Sequence, residues 1–394
     1  MKLNYKHTIF ASYTGYITQA IVNNFAPLLF IIFENKFDIP LEKITLLITV
    51  NFLVQLTVDL LSAKFVDRIG YRKSIVAAHI FSAVGLAGLS IFPQIFPDPY
   101  SGLLCAVVIY AIGGGIIEVL ISPIVEACPT DNKASVMSLL HSFYCWGAVG
   151  VVLISTVFMH FLGKESWTVL ALIWALVPAI NAFYFTQVPI NTLTEDGESM
   201  PVKKLFSLGS FRIFVLLMIT AGASELAMSQ WASSFAESGL GISKAAGDIA
   251  GACLFAVLMG CARVFYAKFS EKIKLIDFII GSGVLCIIAY LTAAFSPFPV
   301  VSLIGCAICG LSVGIMWPGV FSIASAKFPK GGTAMFAILA LAGDLGCSSG
   351  PTLVGLVSGA FDDNLKVGLC AAVFFPLLLI ILSLILKKHE KAGV

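Results

Sequence analysis

Long apolar runs of about 20 residues follow one another along the whole chain, separated by short polar stretches. An α-helix of about 20 apolar residues spans the hydrocarbon core of a bilayer. The short alternating strands of a membrane barrel, which is the other spanning architecture, are missing from the pattern. The pattern therefore predicts an all-α integral membrane protein with twelve transmembrane helices, near residues 8–33, 44–64, 74–96, 101–127, 134–162, 167–189, 209–237, 246–268, 275–295, 299–326, 333–361 and 366–387.

One longer polar stretch divides these helices into two sets of six. It carries Glu195, Asp196 and Glu198. We therefore expect an N-terminal six-helix bundle, a cytoplasmic linker and a C-terminal six-helix bundle over residues 1–189, 190–208 and 209–394.

An internal repeat supports this division. The sequence AKFVDRI at 63–69 follows the second span, and AKFSEKI at 267–273 follows the eighth. A repeat at equivalent places predicts two pseudo-symmetric bundles. Several secondary transporters are built in this way, with the substrate site near the membrane midplane between the repeats.

Composition and charge exclude several classes of protein. Hydrophobic residues make up 59% of the chain and charged residues 12%, which leaves too little polar surface for a soluble globule of this size. The net charge is only +2, and the basic residues are scattered over helix ends, so nucleic acid is not an expected partner. With both termini in the cytoplasm, 18 of the 24 lysines and arginines lie on the cytoplasmic side and 5 on the other. This asymmetry predicts a multi-pass protein of the cell membrane with cytoplasmic termini.

The 10 cysteines lie almost entirely within apolar segments. Cys306 and Cys309 form a C-x-x-C pair, but no second ligand pair accompanies them, so small apolar packing is the better interpretation. We expect no metal and no cofactor. The expected form is a monomer whose partners are a small-molecule substrate, a proton and the lipid bilayer.

Ionisable residues inside predicted spans cost several kcal/mol each and mark candidate functional sites. Glu118 lies close to the predicted midplane, and burial in an apolar medium disfavours the charged form of a carboxyl. Glu118, followed by Asp344 and Glu225, is therefore a candidate proton carrier. Asp59 and Arg263 occupy equivalent positions in the two halves and are candidate gating residues. The alternatives are that Asp59 pairs structurally and that Arg263 extends to the lipid headgroups.

Amide and aromatic side chains on the same helices suit a polar solute. Amides offer donors and acceptors for hydroxyl groups, and an indole offers an apolar face to a sugar ring. Glu225 and Trp231 are six residues apart, so they share no helix face unless the seventh helix unwinds. Trp167 and Trp174 are interpreted as anchors at the membrane interface. The predicted substrate-binding residues are Gln19, Asn24, Glu118, Tyr144, Glu225, Gln230, Trp231 and Trp317.

Residues 67–73, DRIGYRK, resemble the signature loop between the second and third helices of the major facilitator superfamily, although Ala63 replaces the usual first glycine. An acidic residue here is expected near Thr333, where the eleventh helix begins and its dipole favours an anion. The basic residues are expected to hold the loop at the anionic leaflet. The alternative is a basic loop that serves orientation only. The residues that the resemblance assigns to gating are Asp67, Arg68, Gly70 and Arg72.

Three further segments resemble the fucose/glucose:proton symporter branch of that family. Residues 113–123, GGGIIEVLISP, carry Glu118 where the branch has a glutamate for sugar binding and proton coupling, with Ser122 in place of its asparagine. Residues 23–27, NNFAP, carry Asn24 where the branch has an aspartate. Residues 310–318 resemble its tenth helix. The fifth predicted helix lacks the signature of drug/proton antiporters.

These observations favour a secondary active transporter that couples protons to a neutral, sugar-like solute by alternating access. Acids outnumber bases inside the spans, so an anionic substrate would lack a partner, and a cationic one is the second choice. The alternative function is an exporter or exchanger of another small polar or cationic metabolite. The sequence leaves open whether H⁺ or Na⁺ is the coupling ion. An enzyme would need clustered ligands at one leaflet, and none appears in the sequence. A scramblase would need a lateral polar groove, and a channel would need a charged ring or a pore loop.

Overall fold

The computed structural model of the protein describes residues 3–193, 200–232, 235, 253–362 and 364–391, and these residues contain no β-strand. The all-α prediction is confirmed. The α-helices are α1 (Tyr5–Asn24), α2 (Phe30–Phe37), α3 (Leu41–Ile69), α4 (Tyr71–Ile95), α5 (Pro99–Glu126), α6 (Lys133–Leu162), α7 (Trp167–Gln187), α8 (Val202–Ser207), α9 (Gly209–Ser229), α10 (Leu254–Phe269), α11 (Leu275–Phe295), α12 (Pro299–Val313), α13 (Met316–Lys327), α14 (Gly332–Ala360), α15 (Leu365–Ala372) and α16 (Phe374–Lys391).

Eleven helical segments within the described ranges are long and apolar enough to cross a membrane. They correspond to every predicted span except the eighth, whose described part is α10. The end of the predicted span 209–237 and the start of 246–268 lie outside the described residues, as do Glu195, Asp196 and Glu198 of the predicted linker.

Three predicted spans are interrupted close to a proline. The first span is broken by a 3₁₀ turn, Ala26–Leu29, that contains Pro27 and separates α1 from α2. The tenth breaks between α12 and α13, just before Pro318. The twelfth breaks between α15 and α16, just before Pro376. A proline lacks the N–H of a regular helix and clashes with the carbonyl four residues earlier.

The described helices belong to two compact units. Unit 1 comprises Met1–Pro129, Phe143–Ser199 and Gly332–Ala337, and unit 2 comprises Thr130–Ser142, Met200–Gly331 and Ile338–Val394. The start of α14 thus belongs to unit 1, and the start of α6 belongs to unit 2. The predicted bundle limits of 1–189 and 209–394 remain a prediction.

The core of unit 1 contains Trp167 and Trp174, which the sequence predicted to lie at the membrane interface. Trp167 is fully buried, with edge contacts to Phe33 and Phe37 at ring-centroid distances of 5.3 and 6.4 Å. Trp174 is 8% exposed and donates its indole N–H to Ser155 Oγ at 3.0 Å. The interface prediction is therefore wrong for both residues, because hydropathy does not distinguish a lipid-facing position from one buried in protein.

In unit 2, α9 and α14 touch through glycines, a contact called here the α9–α14 glycine contact and formed by Gly222, Gly343, Gly346 and Gly350. A Cβ atom added at Gly222 would collide with the carbonyl of Gly343, and one at Gly346 would collide with the carbonyl of Ile219. A Cβ at Gly350 would likewise overlap the α9 backbone. Small residues of this kind allow membrane helices to pack backbone against backbone.

Candidate functional site

The loop between α3 and α4 places Asp67 beside the first turn of α14, all within unit 1. Gly70 turns the loop with a φ of +92°, a conformation that favours glycine. Thr333 Oγ1 lies 2.5 Å from Asp67 Oδ1 and 2.7 Å from the hydroxyl of Tyr71. The free N–H groups and the dipole of a helix N-terminus favour an acid at this place. The expected proximity of Asp67 and Thr333 is present in the structure, while a gating role remains a prediction.

Arg72 of the same loop binds the C-terminal end of α7. Its Nη1 donates to the carbonyls of Phe185 and Thr186 at 2.7 and 2.9 Å, and its Nη2 donates to that of Val188 at 2.8 Å. A cation here satisfies carbonyls that the helix leaves open and complements its dipole. Arg72 and Arg68 are both exposed, and a role of the basic residues at the lipid headgroups remains a prediction.

Five polar side chains of unit 1 form one hydrogen-bonded group inside the spans, called here the amide cluster: Gln19 and Asn23 of α1, Asn51 and Gln55 of α3, and Glu118 of α5. Gln19 Nε2 donates to Glu118 Oε2 and to Gln55 Oε1, both at 3.0 Å. Gln55 Nε2 donates to Asn23 Oδ1 at 2.8 Å and to Asn51 Oδ1 at 3.0 Å. The cluster therefore connects a carboxyl to four amides across three helices.

Tyr144 lies at the opposite end of the cluster from Glu118. Asn23 Nδ2 donates to its hydroxyl at 3.5 Å, and both residues are partly exposed. Gln19, by contrast, is 2% exposed. Of the predicted substrate-binding residues in this unit, Gln19, Glu118 and Tyr144 are thus brought together. Asn24 is not, because its amide donates to Ala20 of its own helix at 2.8 Å.

The centre of unit 2 is the buried guanidinium of Arg263, which is 3% exposed. Its Nε donates to the carbonyl of Gly314 at 2.8 Å, and its Nη1 donates to that of His141 at 2.8 Å. The Gly314 carbonyl is open to it because Pro318, four residues later, has no N–H to donate. Nη2 lies 3.8 Å from Glu225 Oε2, within ion-pair distance. The alternative in which Arg263 extends to the headgroups is therefore wrong.

α9, which carries Glu225, ends at Ser229, and Gln230 and Trp231 form a turn. Trp231 donates its indole N–H to the carbonyl of Pro351 at 3.0 Å. Gln230 is exposed. Trp231 and Glu225 therefore contact different parts of unit 2, Pro351 and Arg263 respectively.

The remaining predicted residues lie apart from these groups. The indole of Trp317 packs directly on the backbone of Gly343, where an added Cβ would overlap the ring. Asp344, the next residue along α14, is partly exposed. Asp59 is fully buried on α3, one turn beyond Gln55. The candidate proton carriers therefore have three different environments: an amide cluster for Glu118, an arginine for Glu225 and a partly exposed helix face for Asp344.

Comparison with known proteins identifies the family. Residues 9–351 match the family model of the major facilitator superfamily. The chain belongs to this superfamily. No curated protein has a sequence similar enough to match.

Solved structures of superfamily transporters share the fold of this chain. A variant of the E. coli fucose:proton symporter FucP has a TM-score of 0.79 at 14% identity, over 95% of this chain and 97% of that one. FucP in its outward conformation has a TM-score of 0.80 at 15% identity over the same shares. The proton:xylose symporter XylE, bound to 6-bromo-6-deoxy-D-glucose, has a TM-score of 0.83 at 12% identity, over 97% of this chain and 95% of that one.

The family match establishes a multi-pass membrane transporter and not an enzyme, as the sequence predicted. The superfamily fold has two bundles of six helices, and α10 corresponds to the described part of the predicted eighth span. At 12–15% identity the structural likeness concerns the fold alone.

Three members of the amide cluster, Asn23, Asn51 and Gln55, were missed in the sequence. Asn51 and Gln55 lie one helical turn apart within an otherwise apolar span, so they share one face of α3. That i, i+4 amide pair was a readable signal, because polar side chains inside a span point to protein or to a polar cavity. Neither Asn51 nor Gln55 is charged, so the pair did not stand out among the ionisable groups of the spans.

Proposed function

We propose that this superfamily member is a proton-coupled symporter that takes up a neutral, sugar-like solute by alternating access. The observation that carries the proposal is the chemistry of the amide cluster, in which Glu118 is held by the amide of Gln19 and is connected to Tyr144. Amides and a phenol offer paired donors and acceptors for hydroxyl groups. A carboxyl inside a span can carry the coupled proton.

The charge balance of the spans supports a neutral substrate. Arg263 is the only lysine or arginine that is buried among the described residues. Its guanidinium is already engaged by Glu225 and by two backbone carbonyls. A buried carboxylate or phosphate needs a cationic partner, and binding one here would require breaking these contacts.

The structural neighbours add support of a second kind. Both FucP and XylE are named as symporters of a proton with a monosaccharide. Since the likeness shows the fold alone, it supports the coupling and the solute class only together with the residues of the amide cluster.

A cationic metabolite is the second candidate, and the acids favour it. Glu118 and Asp344 both lie inside spans. An exchanger or exporter of a small amine would use such carboxyls directly as charge partners.

Thermal unfolding of the purified protein with a solute panel tests the proposal. The panel contains neutral monosaccharides and glycosides, amines, dicarboxylates and sugar phosphates. A neutral monosaccharide is expected to raise Tm, since a ligand at 100 times its Kd adds about 2.7 kcal/mol of stability. Stabilisation by an amine alone would favour the second candidate. Stabilisation by a dicarboxylate or sugar phosphate that persists in Arg263→Met would overturn the neutral-substrate proposal.

A further inference from the structure

Gln55 is a buried amide of the cluster to which the proposed function assigns no role of its own. It is 2% exposed and lies between the two ends of the amide cluster. Its two N–H groups are directed at Asn23 Oδ1 and Asn51 Oδ1, at 2.8 and 3.0 Å. With both donors engaged, the atom that Gln55 presents to Gln19 is its carbonyl oxygen.

This arrangement dictates how Gln19 is oriented. Two amide oxygens cannot bond each other, so Gln19 has to present Nε2 to Gln55. The same nitrogen carries its second hydrogen to Glu118 Oε2 at 3.0 Å. Glu118 therefore receives a donor from Gln19, and a hydrogen bond donated to a carboxylate stabilises the ionised form.

The orientation leaves one buried acceptor unsatisfied. Gln19 Oε1 is buried, and no donor from the described part of the chain lies within hydrogen-bond distance of it. A buried acceptor without a donor costs free energy. The opposite orientation of Gln19 would direct this oxygen at a protonated Glu118, but only if Gln55 also turned.

We propose that Gln55 is a positioning residue, which fixes the orientation of Gln19 and thereby holds Glu118 in its ionised form until protonation reverses the whole cluster. The inference rests on the proposed function in one respect, namely that Glu118 is the coupling acid.

The reversal can be followed atom by atom. A protonated Glu118 donates to Gln19 Oε1, so Gln19 rotates and accepts from Gln55 Nε2. Gln55 Oε1 then accepts from the amide nitrogens of Asn51 and Asn23. Asn23, which now offers a donor toward Tyr144, offers an acceptor after the reversal. A solute hydroxyl beside Asn23 therefore meets a different partner in each protonation state, because the amides have two self-consistent arrangements.

Other titratable groups of unit 1 lie on α1, α3 and α4, the helices that pack against α5. On α1, the hydroxyl of Tyr16 lies 2.9 Å from Ser122 Oγ. On α3, Asp59 is fully buried one turn beyond Gln55. On α4, His79 is engaged by Ile75 and Asn181 at 2.8 and 2.9 Å. Asp59 is the carboxyl among these groups, so its C=O band has to be separated from that of Glu118.

Infrared difference spectra of the purified full-length protein, recorded across a pH titration, test the proposal without any solute. The probe is the proton itself, and the signal is the C=O stretch of a protonated carboxyl. Glu118→Gln identifies the band of Glu118, and Asp59→Asn removes any overlapping band. In Gln55→Met the midpoint of the Glu118 band is expected to move upward by about one pH unit, since a freed Gln19 can accept from the protonated acid.

Matched variants make each outcome decisive. Thr57→Val, on the same helix but exposed and bonded only within α3, is expected to leave the midpoint unchanged. Asn51→Leu, which removes one of the two acceptors that hold Gln55, is expected to give a smaller upward shift and serves if Gln55→Met does not fold. An unchanged or lowered midpoint in Gln55→Met and Asn51→Leu would overturn the positioning role alone. The absence of any Glu118-dependent band in the wild-type titration would overturn Glu118 as the proton site as well.

Discussion

Glu118 combines two properties at one position, a carboxyl placed well inside a span and an amide that donates to it. A glutamate is too short to reach the headgroups from such a depth, so its charge has to be stabilised within the protein. Glu225 has an arginine for this purpose, whereas Glu118 has the dipoles of an amide cluster. A hydrogen bond donated by an amide stabilises an ionised carboxyl without adding a second charge.

Glu118→Gln is expected to abolish proton-driven accumulation while the protein remains folded. Glutamine keeps the size and one acceptor of the carboxyl but cannot release a proton. Uptake into proteoliposomes under an imposed pH gradient measures the loss, and solute counterflow without a gradient is expected to persist.

Glu165→Gln is the matched control for this variant. Glu165 is exposed and paired with Lys36 at 2.6 Å, and such surface pairs contribute only about 0–1 kcal/mol. Its accumulation should equal that of the wild type. If Glu118→Gln still accumulated solute against the solute gradient, Glu118 would not be the coupling site. Asp344 would then be the next candidate, followed by Glu225.

Individual side chains show where sequence reasoning reaches its limit. Glu118 and Gln19 stand out because a charge or a large amide in an apolar run is costly wherever it points. The partner of Arg263 did not stand out, because the carbonyl of Gly314 becomes available only through a proline on another helix. The burial of Trp167 could not be predicted either, since lipid and protein interior are both apolar.

For the helices, the sequence predicted which segments are helical and how long they are better than it predicted where a helix is interrupted. The bounds of α11 agree with the predicted span 275–295, because a long apolar run determines where a helix can cross the bilayer. The interruption at Gln230 has no proline to announce it. Hydropathy averaged over a span does not register a single turn of altered backbone.

The α9–α14 glycine contact provides a prediction at this scale. In Gly346→Ala the new Cβ meets the backbone of α9 at Ile219 and Ala223, which cannot move aside as a flexible side chain would. Overpacking of this kind costs about 1–3 kcal/mol. Thermal unfolding of purified protein should therefore show a lower Tm.

Gly281→Ala, in α11, is the control for crowding. No heavy atom lies within 4 Å of a Cβ built there. Alanine also favours helix over glycine by about 0.5–1 kcal/mol. Its Tm should be unchanged or slightly higher, and an equal fall in both variants would contradict the proposed backbone contact.

At the scale of the whole molecule, the distribution of lysine and arginine predicts the orientation in the membrane. Two exposed lysines on opposite predicted sides, Lys164 and Lys203, allow a direct test. In a background with the 10 native cysteines replaced, Lys164→Cys should react with a membrane-impermeant maleimide in intact cells. Lys203→Cys should react only after permeabilisation. Labelling of Lys203→Cys in intact cells would show that the orientation is opposite to the predicted one.

The position of Trp317 gives the transporter an optical reporter of its own. Its indole lies against the backbone of Gly343, and the ring centroid of Phe321 is 6.2 Å away in an edge contact. Indole emission shifts in wavelength with the polarity around the ring, and the neighbouring residue on α14 is Asp344. The other four tryptophans, Trp146, Trp167, Trp174 and Trp231, emit as well, and a Trp317→Phe variant identifies their share. A change of charge at Asp344, or a small displacement of α14, is therefore expected to shift the emission wavelength of Trp317 in unlabelled protein.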